Sequence, residues 1–168
     1  MFLLRDQIVV HAPVERCFLL STSIAVVERE LKMHPAAGRT TGFVQDGDTV
    51  LWRGWQLGLP QVHQSKIRRL QPNRFFQDCM MRGRFKSFEH DHAFVKQSKG
   101  DVLLRDELRF TMPLGWAGWA VGRAVLVPHI RELMHRRFAL IKELAEGEGW
   151  RAYIPAGEQG DLARPETA

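Results

Sequence analysis

The chain has 168 residues, 45% of them apolar and 26% charged, with 24 Lys and Arg against 19 Asp and Glu for a formal charge of +5. That length suits one domain with a core of its own, and the composition excludes a low-complexity or disordered chain. No window approaches the roughly 18 uninterrupted apolar residues that span a bilayer. Met1-Phe-Leu-Leu-Arg5 is too short a run for a signal peptide. A cytoplasmic protein without stable membrane insertion is the expectation. Cys17 and Cys79 supply neither a disulfide framework nor a metal motif. The basic residues (Arg68-Arg69, Arg82 to Lys86, Arg105, Arg109, Arg131, Arg136-Arg137) are spread along the chain and interleaved with acids. No helix-turn-helix, zinc-finger or RNP pattern accompanies them, so they read as solvated surface and not as a nucleic-acid site.

Leu4 to His11 reads as a first strand ended by Ala12-Pro13, and Pro13 suits the first turn of a helix because its missing N–H needs no partner there. Val14, Cys17, Phe18 and Ser21 follow at helical spacing. A second short helix covers Ser23 to Lys32, with Ile24, Val27 and Leu31 on one side, and Pro35 to Gly38 is expected to close the pair. The period then changes to two. Extended runs cover Arg39–Asp46, Thr49–Leu57, Gln61–Leu70, Arg74–Arg82, Phe85–Gln97 and Asp101–Met112, separated by short segments holding Gly, Pro, Asn or Asp. Such separators make antiparallel hairpins, so consecutive strands should be neighbours in one meander. After Pro113 the helical period returns: Ile130, Leu133, Met134, Arg137/Phe138, Ile141 and Leu144/Ala145 recur over about four turns. Pro128 is expected to divide this helix from an apolar lead-in carrying Trp116 and Trp119, and Gly147-Glu-Gly149 to end it. The predicted architecture is α+β, a helix-grip arrangement: a curved antiparallel sheet of about seven strands, in the order β-α-α-β6-α, wrapped around a long C-terminal helix. Residues 1–147 form the expected domain. Residues 148–168 are expected as a loosely ordered tail, although Trp150 and Tyr153 could fold back.

Alternation assigns the faces of the last three strands. Val102, Leu104, Leu108, Phe110 and Met112 share a face with Asp106; Phe88 and Phe94 with His90 and His92; Phe76 and Met80 with Asp78. The inner face is therefore apolar with four polar intruders. A turn centred near Arg84 sets Asp78 across from His90, and one near Lys99 sets His92 across from Asp106. Opposed residues on one face have Cβ atoms about 5 Å apart, so two cross-strand Asp–His pairs are predicted side by side. Three uses of them compete. They satisfy one another's buried polarity; they form the polar end of a ligand pocket; or His90-x-His92 with carboxylates holds a metal. The last is disfavoured, because each imidazole already has a carboxylate to bond. No metal or cofactor is expected.

The remaining histidines (His11, His34, His63, His129 and His135) have no partner at motif spacing and read as surface or structural. Ser21 and Ser65 lack a nucleophile-elbow context. Trp52 and Trp55 lie on opposite faces of one strand, so at most one lines the interior. Trp116 and Trp119 read as core anchors, with a gate over the pocket mouth or a partner surface as alternatives.

With these residues in hand, the chain resembles the SRPBCC superfamily, which includes the START lipid-transfer domains, the birch-pollen allergens and the polyketide cyclase/dehydrase proteins. The likeness lies in Phe76-Gln-Asp78, Gly83-Arg-Phe85, Phe88-Glu-His90-Asp-His92-Ala-Phe94, Asp106 and Pro113-Leu-Gly115 before the long helix, with Ala12-Pro13-Val-Glu15 and Cys17-Phe18 at the first strand-to-helix junction. It covers about Leu4 to Gly147 and looks most like the bacterial cyclase/dehydrase-like branch. Glu28 to Ala37 departs from the usual loop before the second strand. The resemblance implies a deep apolar cavity between sheet and last helix that takes a lipid, polyketide or similar small molecule, in a monomer or homodimer. Phe76, Met80, Phe88, Phe94, Leu104, Leu108 and Phe110 would line it with Ile130, Leu133 and Met134 of the helix. Asp78, His90, His92 and Asp106 would form its polar spot. In a cyclase or dehydratase the same four are the candidate catalytic groups, one histidine moving a proton while an aspartate orients it.

Overall fold

A computed structural model describes residues 1–157. Seven strands, β1 (Phe2–Val10), β2 (Met33–Gly38), β3 (Thr49–Gln56), β4 (Leu59–Gln71), β5 (Phe75–Arg82), β6 (Ser87–Lys96) and β7 (Val102–Thr111), form one antiparallel sheet in the order β1-β7-β6-β5-β4-β3-β2. Two short helices, α1 (Val14–Thr22) and α2 (Ile24–Leu31), lie between β1 and β2, and α3 (Gly115–Val121) and α4 (Val127–Glu146) follow β7. The architecture is α+β, with a long C-terminal helix laid in the sheet's concavity.

The second strand lies earlier than the sequence predicts. Lys32 adopts a left-handed conformation that ends α2, and β2 begins at the next residue, so Pro35 is inside a strand. The sheet tolerates this proline because β2 is an edge strand and its pairing with β3 shifts register just after Pro35. The segment expected to be extended, Arg39–Asp46, is a loop instead. It is tied back by an Arg39–Asp48 ion pair and by backbone bonds from Ile24 to Gly42 and from Val44 to Thr22.

Pro128 does not break the C-terminal helix. A π-helical stretch, Gly122–Leu126, joins α3 to α4, and Pro128 falls in the first turn of α4, where its missing N–H does least harm. Two glycines let this entry lie flat on the end of the sheet. A Cβ on Gly118 would stand 1.7 Å from the Pro113 carbonyl oxygen, and one on Gly122 would stand 2.6 Å from the Phe2 ring. Past α4 the first part of the tail folds back at Trp150 and Tyr153: Trp150 and Ile154 are buried in the main core and Tyr153 packs against it. The rest of that tail, 158–168, lies outside the described residues.

The parity of the last strands holds. Val102, Leu104, Asp106, Leu108 and Phe110 are buried in β7, and the odd positions between them carry the ion pairs of the convex face, such as Arg109 with Asp91 and Arg5 with Glu107. Both predicted registers are present, with Asp78 opposite His90 and His92 opposite Asp106. The apolar interior is nevertheless split in two. One cluster holds Phe94, Leu104, Phe138 and Ile141, and the other holds Leu108, Phe110, Ile130 and Met134 with Phe88 against it. In each element the residues between the two groups are polar: His90 and His92 in β6, Asp106 in β7, Arg137 in α4.

Candidate functional site

A cavity of about 710 Å³ opens between the sheet and α4. Its apolar wall includes Val50, Trp52, Ile67, Phe76, Phe88, Leu108, Ile130, Leu133 and Met134. Its polar wall includes Ser21, Glu30, His63, Ser65, Asp78, His90, His92 and Arg137. Of the residues expected to line it, Phe76, Asp78, Phe88, His90, His92, Leu108, Ile130, Leu133 and Met134 do. Five others do not. Phe94 and Leu104 fill the main core, where Phe94 meets Phe18 edge-on at 5.3 Å. Phe110 is covered by Phe2 and Phe85, at 4.9 and 5.3 Å between ring centres. Met80 lies against the β5–β6 turn, its sulfur 2.5 Å from where a Cβ of Gly83 would sit. Asp106 stands behind the two histidines. Trp52 lines the wall and Trp55 is exposed on the other face.

Asp106 is the hub. Its Oδ1 lies 3.0 Å from His92 Nδ1, its Oδ2 lies 2.8 Å from Arg137 Nη1, and the side chains of Asp106 and Arg137 are almost wholly buried. Burial alone would raise the carboxyl's pKa, but Arg137 and the flanking histidines outweigh it and hold the group well below the ordinary 3.8. The carboxylate is thus an acceptor only, which puts the His92 proton on Nδ1. His92 itself is pushed down to about 3, chiefly by burial and then by its neighbour His90, so it is neutral. Its ring is stacked on Phe76 at 4.3 Å and tilted against His90 at 3.9 Å.

The predicted Asp78–His90 pair does not form. His90 turns toward Asp106 instead, with Nε2 3.2 Å from Oδ2 but not aligned for a hydrogen bond. Burial raises the pKa of Asp78 and so disfavours its charge, while His63, His90 and a Ser65 hydrogen bond only partly offset that. His63 is held neutral by the same burial.

Sequence reasoning missed Arg137, Glu30 and His63. Arg137 was legible in principle, since it falls on the apolar stripe Ile130, Met134, Arg137, Ile141, Leu144, where a cation needs a buried partner. Glu30 of α2 lies 3.7 Å from Arg137, and burial lifts its pKa to about 8. It is therefore protonated at neutral pH, leaving the Arg137 charge to Asp106. His63, expected as a surface or structural histidine, meets Phe88 edge-on at 5.4 Å on the cavity wall.

His90, His92 and Asp106 place three ligand atoms within 4.8 Å of one another, the geometry of a small metal site. The donor set does not suit a cation. Its one carboxylate is already bonded to a guanidinium, whose charge would repel a divalent ion at that oxygen. The cluster reads as a charge-balanced polar layer.

No family model matches the chain, and no curated relative matches it. Solved structures do. A START superfamily protein from Mycobacterium smegmatis matches with a TM-score of 0.65 at 14% identity, over 84% of this chain and 97% of that one. The fold is the START-like, SRPBCC fold. The ginseng major latex-like protein 151 from Panax ginseng shares it, with a TM-score of 0.65 at 11% identity, over 87% and 98% of the two chains. So does norcoclaurine synthase from Thalictrum flavum, solved in complex with dopamine and hydroxybenzaldehyde: TM-score 0.62, 9% identity, 85% of each chain. In this SRPBCC fold the sheet and last helix enclose the cavity, and here the layer around Asp106 forms part of its polar side.

Proposed function

We propose that the protein binds an apolar small molecule, a lipid, polyketide or similar compound, with its polar end at the Asp78–His90–Arg137 wall. The observation that carries this is a set of buried polar atoms on the cavity wall. Among the described residues, Ser21 Oγ, Asp78 Oδ1, His90 Nε2 and Arg137 Nη2 have no hydrogen-bond partner. Each unmet group of this kind costs about 1–3 kcal/mol, so a ligand that supplies the missing partners gains affinity beyond its apolar contact. Arg137 Nη2 asks for an acceptor and Asp78 Oδ1 is an unmet oxygen on the same wall, so a hydroxyl or carbonyl on an otherwise greasy molecule fits. The reading places a monomer or homodimer in the cytoplasm; among the described residues no helix is long and apolar enough to cross a membrane.

Native mass spectrometry of the purified protein should show a co-purifying apolar mass, and a fluorescent fatty-acid analogue should bind saturably. Filling the cavity with Leu133→Trp should abolish both. A protein that arrives empty and takes up no probe would refute the proposal.

A second reading, acid/base chemistry on a polyketide-like substrate, is favoured by one arrangement: His90 lies on the cavity wall with the anionic Asp106 behind it and Asp78, whose pKa burial raises, across the strand pair. Under it, His90→Gln abolishes turnover of a poly-β-ketone while leaving probe affinity within a few-fold.

A further inference from the structure

One end of the sheet carries exposed cations and exposed apolar side chains together. At one end stand the start of β1, the β3–β4 and β5–β6 turns, the end of β7 and the whole of α3 with its π-helical continuation. The cavity mouth is here, since Leu57 and Leu59 of the β3–β4 turn and Val121 and Val125 above it line the cavity and are also about half exposed. Trp116 beside them is 84% exposed and Trp119 54%, so neither is the core anchor expected. Exposed singly such residues mean little, but six at the mouth end of the fold gather more apolar surface there than scattered side chains would.

Charge marks the same end. Acids and bases are interleaved over the chain as a whole, but not here: no Asp or Glu occurs between Asp78 and Glu89 or between Glu107 and Glu132. Arg82, Arg84, Lys86 and Arg123 are exposed within these stretches and form no ion pair among the described residues. At the opposite end acids and bases are mixed: Glu15, Asp101, Glu143, Glu146 and Glu148 stand with Arg16, Arg69, Arg74, Lys142 and Arg151, in contacts such as Lys142–Glu146 and Arg151–Glu148. Tryptophans with flanking lysine and arginine are the side chains that rest most favourably at the boundary between headgroups and acyl chains.

We propose that the cavity mouth docks on the surface of an anionic lipid bilayer, with Trp116 and Trp119 in the headgroup boundary and the four cations over lipid phosphates. A second copy of the chain is a poorer occupant, because two acid-free basic ends would face each other. The inference is independent of what fills the cavity: docking uses the rim, and an empty protein docks as well as a loaded one.

The test is co-sedimentation of the full chain with vesicles of phosphatidylcholine alone or with about one-third phosphatidylglycerol. Binding to the anionic vesicles should exceed that to neutral ones by at least about tenfold, and should fall as salt is raised. Trp116→Ser and Lys86→Glu should each weaken it by about tenfold or more. Arg68→Glu, an equal charge change near the other end of β4, should leave it within about twofold. The inference is overturned by absent vesicle binding, by equal losses in Lys86→Glu and Arg68→Glu, or by indifference to Trp116→Ser. Self-association without lipid that Trp116→Ser abolishes would assign the patch to a second copy instead and likewise overturn it.

Discussion

Replacing Arg137 by Met tests whether the Asp106 hub is the organising charge of the interior. Arg137 Nη1 lies 2.8 Å from Asp106 Oδ2, with side-chain exposures of 5% and 2%. At an effective dielectric near 20 the attraction is about 6 kcal/mol before desolvation is counted, and breaking a buried pair from one side costs about 3–5 kcal/mol. Proton uptake limits the loss. Protonating the orphaned carboxyl at pH 7, from an ordinary 3.8, costs about 4 kcal/mol at 1.36 kcal/mol per unit, and a histidine that takes the proton lowers this further. The expected destabilisation is therefore about 2–4 kcal/mol at pH 7, measured by urea unfolding. The sign of its pH dependence follows. In the wild type the Asp106 pKa is depressed, so its contribution is complete above about pH 4 and is lost on acidification below it. The variant binds a proton in the folded state that the wild type does not, so the gap narrows as pH falls from 7 to 5. The double variant Asp106→Asn/Arg137→Met should recover most of the loss. A single-variant effect below about 1 kcal/mol, with no pH dependence, would refute the hub.

His92→Ala should destabilise the fold by about 1–3 kcal/mol, because Asp106 Oδ1 loses its donor; an unchanged melting temperature counts against that bond. Glu30 has its pKa raised from 4.5 to about 8, so its contribution is full below about pH 4.5 and is lost as pH rises toward 8. His92, lowered from 6.5 to about 3, acts with the opposite sign below 6.5, so the Glu30 effect stands out from about pH 6.5 to 8. Glu30→Gln should flatten the fall in stability over that interval, read by thermal melts across pH; an unaltered slope assigns the fall elsewhere. Cys17 is buried, and desolvation pushes its thiol up to about 12, so a disulfide reagent should modify it only on unfolding; rapid labelling in native buffer would contradict its place in the core.

Much of the fold was legible from local pattern. Hairpin separators and period-two alternation carried the strand order, the inner face and both registers, because a turn of fixed length leaves one pairing and a side chain's face repeats every two residues. What misled were residues whose meaning depends on neighbours distant in sequence. Pro35 argues against a strand until β2 is known to be an edge. Pro128 argues for a helix break until a π-helical turn upstream absorbs it. Phe94, Leu104 and Phe110 face inward as their parity requires, but whether an inward side chain fills the core or borders the void depends on what Phe18, Phe2 and Phe85 bring from other elements.

The sequence by itself determined that Asp78, His90, His92 and Asp106 lie on one buried face, since alternation is a property of the strand alone. Only the tertiary structure decided how they pair. Arg137 arrives from α4, on the far side of the interior, and its charge holds Asp106 anionic. Both histidines then lean to it, and Asp78 is left on the cavity wall without its cross-strand histidine. Long-range electrostatics in a dry interior outweighs the nearest cross-strand contact, and no local pattern encodes which distant helix will deliver the cation.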